Sequence, residues 1–223
     1  MTARLRLPDA RNIIADARSI VRNIVALRHG GSVSGRSYAV TLLTPIQRSL
    51  GPDLARHLKG LGIGPESPLA RVPSVHFARW LVIDQLKTDW GGAPSPPPRL
   101  NSEYLLFTAS VTVPEGEVGR ALAWFLGDLH GRIGPEADRI WRHCVGYPGL
   151  EDRDAFVAYL AKSQIETALF HVGYPDVGVD EIRRALAVRD ALVTFARDHQ
   201  GDRDAGRIQD DYLRESEAWL RSS

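Results

Sequence analysis

Nothing constrains this chain more than the run Val75-His76-Phe77-Ala78-Arg79-Trp80-Leu81-Val82-Ile83. β-Branched and aromatic residues continue without a breaker between Pro73 and Asp84, which predicts a β-strand, read here as the central one of its sheet. Alternation assigns His76, Ala78, Trp80 and Val82 to one face, and Val75, Phe77, Arg79, Leu81 and Ile83 to the other. Each face then carries a single polar group inside an apolar run. Burying such a group without a partner costs roughly 1–3 kcal/mol, so His76 and Arg79 each require a partner or a cavity, and at most one of them is expected in any one cavity.

The same periodicity places the other elements. Residues 38–46 read as a first strand, and residues 103–113 as a clear half-buried one, with Leu105, Phe107, Ala109, Val111 and Val113 inward and Tyr104, Leu106, Thr108, Ser110 and Thr112 outward. A last strand is expected at 167–174. Apolar residues at helical spacing predict an amphipathic helix over 9–27, ending at Gly30-Gly31, and further helices at 51–61, 115–133, 135–141, 152–162 and 179–199. In the last of these Ile182, Leu186, Leu192 and Phe195 are expected to face the core. Residues 87–101, with Gly91, Gly92 and four prolines between 94 and 98, suit neither helix nor ladder and read as an exposed loop, either a lid or a long connection. The resulting organisation is a helical arm (1–36), an α+β domain (37–200) and a charged C-terminal tail (201–223) with a weak helix near 212–220.

Bulk properties narrow the classes. With 28 basic against 27 acidic side chains in 223 residues the formal charge is +1, so no global field steers the chain onto nucleic acid or an anionic membrane, and neither is expected as a partner. Cys144 is the sole cysteine, which rules out an intramolecular disulfide and suits a reducing compartment. No apolar run approaches the roughly 20 residues of a membrane span, and the expectation is a cytoplasmic protein.

Leaving the arm aside, the predicted order is strand, helix, strand, strand, helices, strand, helix, the βαββαβ order of a ferredoxin-like sheet. Over residues 38–199 this order resembles the dimeric α+β barrel superfamily, in which two such sheets pair around a pocket. The resemblance implies an α+β fold, a homodimer and a small-molecule substrate. Its members include cofactor-free monooxygenases, haem-degrading enzymes, chlorite-dismutase-like and dye-decolourising peroxidases, aldoxime dehydratases, lactone isomerases and ligand-sensing modules, so function rests on the site and not on the fold.

Several residue groups are candidates for that site. His76 is a general base or axial ligand, and Arg79 a clamp for a carboxylate or developing anion; each is equally read as structural, His76 bonded to backbone and Arg79 paired with Asp84 or Glu103. The segments His143-Cys144-Val145-Gly146-Tyr147-Pro148 and His171-Val172-Gly173-Tyr174-Pro175 both end in Gly-Tyr-Pro. They suggest a shared site with Tyr147 as a catalytic phenol and His143 or His171 as a haem ligand, or else two turns, since Gly-Tyr-Pro ends elements well. No His-x-x-x-His or Glu-x-x-His pair presents a protein metal site, and Cys144 reads as a buried thiol before a nucleophile. The leading expectation is an enzyme, an oxidoreductase that is haem-dependent or cofactor-free, acting on a mostly apolar small molecule. The rival is a non-catalytic small-molecule-binding or dimeric interaction protein.

Overall fold

The computed structural model describes residues 30–85, 100–201 and 204–221. The expected arm at 9–27 and nearly all of the loop at 87–101 lie outside the described residues. The remainder is mixed α+β. Strands β1 (Val33–Ser34), β2 (Ser37–Pro45), β3 (Val75–Ile83) and β4 (Tyr104–Thr112) form an antiparallel sheet in the order β1-β2-β4-β3. In chain order the helices are α1 (Gly51–Lys59), α2 (Ala121–Trp141), α3 (Arg153–Ala161), α4 (Val179–Asp198) and α5 (Ala205–Arg221).

β2 and β4 are in unbroken register from Ser37↔Thr112 to Pro45↔Tyr104, which puts Val40 and Leu42 beside Ala109 and Phe107 on one face. That face is the core. Leu42, Leu105, Phe107 and Val111 are fully buried, together with Phe125, Leu126, Leu129, Ile133, Ile140 and Trp141 of α2. The Phe107 ring lies 5.1 Å from Trp80, 5.8 Å from Trp141 and 6.4 Å from Phe125 between centroids, spacings at which aromatic pairs attract beyond their buried area. α3 begins where Asp152 Oδ1 accepts from the amides of Asp154 and Ala155, at 2.9 and 3.0 Å, satisfying two of the donors a helix start leaves open.

Three expectations are corrected. β3 is an edge strand, not a central one: β4, read as half-buried, takes the place between β2 and β3. The strand expected at 167–174 does not form. Gln164 alone bridges Leu42, and beyond it the edge of β2 is already occupied by β1, whose Val33 and Ser34 pair with Tyr38 and Ser37. The segment is held instead by isolated bonds, Ile165 N to Thr41 O (2.8 Å) and Arg36 N to Pro175 O (2.9 Å). The break expected between the helices at 115–133 and 135–141 is present: α2 is two helical stretches joined across a kink at Ile133 (φ −133°, ψ 26°), ahead of Pro135. Finally, Ile182, Leu186 and Leu192 of α4 are exposed, and only Phe195 is buried.

The chain divides into two compact units, one ending at Asp176 and the other beginning at Val177. α4, expected within the α+β domain, thus groups with α5. Within this second unit the Phe195 ring meets His199 at 4.1 Å, Tyr212 at 5.7 Å and Trp219 at 5.9 Å. α5 starts well before the expected 212 because Asp204 Oδ1 accepts from Arg207 N at 3.1 Å, an N-terminal cap.

Candidate functional site

The face of the sheet away from the core is built of cross-strand rows set by the register. Ala39, Ser110 and Phe77 form one row; Thr41, Thr108 and Arg79 the next; Leu43, Leu106 and Leu81 a third. Hydroxyls therefore run along the middle strand, with apolar side chains on both flanks. Phe77 is 62% exposed and Leu81 38%. Arg79, also exposed, donates from Nε to Thr108 Oγ1 at 3.1 Å. None of the nine row residues is a carboxylate, and Arg79 has no ion pair among the described residues. Neither Asp84 nor Glu103, read as its structural partners, is bound to it.

His76 joins the same face. Between Val75↔Val111 and Phe77↔Ser110, two steps of β3 oppose one step of β4, a bulge that adds a residue and turns the alternation over. His76 sits in that bulge, and its Nε2 lies 2.6 Å from Thr112 Oγ1. Thr112 and Thr108 are four residues apart on β4 and so share a face, which corrects the expectation that His76 and Arg79 lie on opposite faces. At ~3.3 Å per residue their two threonine anchors are about 13 Å apart, with Phe77 between. The two polar groups can touch one extended ligand but cannot act on one atom. Burial lowers the His76 pKa, which keeps the imidazole neutral and able to accept a proton near neutral pH.

The Gly-Tyr-Pro segments are not brought together. His143 follows α2, where its Nδ1 donates to Ile140 O at 3.2 Å and its carbonyl accepts from Gln47 N at 2.8 Å, just beyond the end of β2. His171 is exposed, between Thr167, whose N donates to Ser32 Oγ at 3.3 Å, and Pro175, bonded to Arg36, both at the start of β2. Nine strand residues, on the order of 30 Å, separate the two ends. Gly146 (φ 72°) supplies a left-handed turn after Cys144, in keeping with the turn reading.

Around His143 the groups are buried and quiet. Cys144 Sγ lies 3.2 Å from Thr44 Oγ1, and burial pushes its thiol up to about 11, so it stays protonated. Tyr147 stacks edge-on to Phe156 and Tyr159, and burial with the neighbouring Asp138 carboxylate raises its pKa. Among the described residues no group of three His, Cys, Asp or Glu side chains is placed to hold a metal ion.

A cleft of about 400 Å³ opens between α1 and β3, walled by Leu58, Trp80 and Val82 and edged by Lys59, Asp84 and Glu103. Neither His143 nor His171 borders it, so it offers no axial imidazole to a haem. Sequence reasoning missed this cleft. Its one trace was Gly51 at the first turn of α1, where any Cβ would run into the Glu103 carboxylate. Comparison with protein-family models, with curated proteins and with solved structures finds no match to this chain.

Proposed function

We propose that the chain is a small-molecule-binding protein whose ligand, a mostly apolar molecule bearing a carboxylate or similar anion, lies on the outer face of the sheet. Arg79 carries the reading: it is a guanidinium without a carboxylate partner, in the middle row of a face whose flanking rows end in exposed Phe77 and Leu81. Nε is taken by Thr108, which orients the plane and leaves the Nη donors for a bidentate anion. Thr41, half-buried in the same row, adds a hydroxyl beside it, while Phe77 and Leu81 receive the ligand body.

A second copy of the chain covers the face, since a monomer rarely leaves such apolar residues open together. The fold supports this. β2, α1, β3 and β4 follow the split βαβ order with β4 between two parallel strands, and 163–165 run beside the part of the β2 edge that β1 leaves uncovered, where a fourth ferredoxin-like strand belongs. One observation favours an enzyme instead: the neutral His76 imidazole at the far end of the same face is suited to proton abstraction from a bound ligand.

Calorimetric titration with octanoate and with octanol tests the reading on wild type and Arg79→Gln. Octanoate is expected to bind at least about tenfold tighter than octanol to wild type and to lose that margin in the variant. Equal affinity for both probes in both proteins would sink it.

A further inference from the structure

The cleft between α1 and β3 lies on the other side of the sheet, because Trp80 and Val82 alternate with Arg79 and Leu81 and point toward the core side. We infer that it is a second binding site, for an organic monocation: an ammonium group carried on an apolar body. Its volume of about 400 Å³ suits a small organic ligand and greatly exceeds what a lone water or metal ion fills. Leu58, Trp80 and Val82 give it an apolar wall.

Its charge is unbalanced. Asp84 and Glu103 stand against Lys59, two negative against one positive, and none of the three forms an ion pair among the described residues. Glu103 is half-buried and held at both ends: its carbonyl accepts from Ile46 N at 2.8 Å, and its carboxylate packs into the space that Gly51 leaves by having no side chain. The carboxylate is half-buried and forms no ion pair among the described residues, so a ligand ammonium can give it a charge-assisted bond. Trp80, packed on Phe107 and Trp141, lines the same cleft and adds an aromatic wall for the ligand body. A divalent metal fits less well, since the site offers two carboxylates and an apolar wall and no third ligating group. Lys59 limits the ligand to one positive charge.

The test uses the full chain and two probes of equal shape, phenethylamine and 2-phenylethanol, titrated calorimetrically. Phenethylamine should bind wild type at least about tenfold tighter than the alcohol. Glu103→Gln and Asp84→Asn should each reduce amine affinity several-fold, leaving the alcohol unchanged, whereas Lys59→Gln should strengthen the amine. Asp84 is exposed, so its variant folds even if Glu103→Gln does not. Arg79→Ala should leave amine binding intact, which separates this site from the anion site on the outer face. Equal binding of amine and alcohol, or amine binding indifferent to both carboxylate variants, overturns the inference.

Discussion

The two faces of one sheet carry different obligations. On the inner face Leu42, Leu105, Phe107 and Val111 are fully buried against α2, and only toward the end of β3 do Trp80 and Val82 border a cleft. On the outer face the same strands present hydroxyls, one arginine, and apolar residues that stay exposed. Adjacent residues of β3 thus live under unlike rules. Trp80 packs against Phe107, while its neighbours Arg79 and Leu81 stand exposed. Packing dominates one face, while exposed polar and apolar groups stand together on the other.

That division is open to attack from the largest effect downward. Phe107→Ala should cost about 3–5 kcal/mol of unfolding free energy, since it empties a site ringed by three aromatic neighbours. Phe77→Ala on the opposite face should stay within about 0.5 kcal/mol in the monomer. Urea unfolding of both variants decides, and similar losses would erase the contrast. Next, Phe77→Ser combined with Leu81→Ser should convert a dimer to a folded monomer, read by light scattering with chromatography. An unchanged mass would show that the outer face is not what a second copy covers. Arg79→Ala is expected to leave the unfolding midpoint alone, within about 0.5 kcal/mol, while octanoate affinity falls.

The smallest effect is a pH dependence. Burial lowers the folded-state pKa of His76, so between that value and the unfolded imidazole's the unfolded chain binds more protons and stability rises with pH. His76→Gln should flatten this rise below neutrality. In the helical unit the sign reverses. His199 donates through Nδ1 to Phe195 O at 2.9 Å, which with Asp211 raises its pKa. Its contribution is complete below the unfolded pKa and is lost as pH climbs through the raised one. Chemical unfolding of wild type and His199→Gln from pH 5 to 8 reads both slopes.

Much of the fold was legible because its signals are local. Alternation from Leu105 to Val113 named the inner face of β4, and all five of those residues are buried. The apolar spacing of Phe125, Leu129 and Ile133 likewise named the buried stripe of α2. The site was less legible. His76 and Arg79 were identifiable as the polar members of β3, but their shared face was hidden, since a bulge is a mismatch between two strands and leaves no mark in either alone. The pair of Gly-Tyr-Pro segments looked like one site only along the chain; their attachments to opposite ends of β2 are contacts between residues about a hundred positions or more apart.

By itself, then, the sequence determined the periodic properties of this protein: which stretches extend, which coil into helices, and which side of most of them is apolar. These follow from neighbours two to four residues away. The tertiary structure decided what depends on partners: that β3 lies at an edge and β4 inside, that 167–174 finds the edge of β2 taken by β1, and that α4 exposes three residues patterned for burial. A strand's pattern states that it has a face to hide, and only the remainder of the chain settles what hides it.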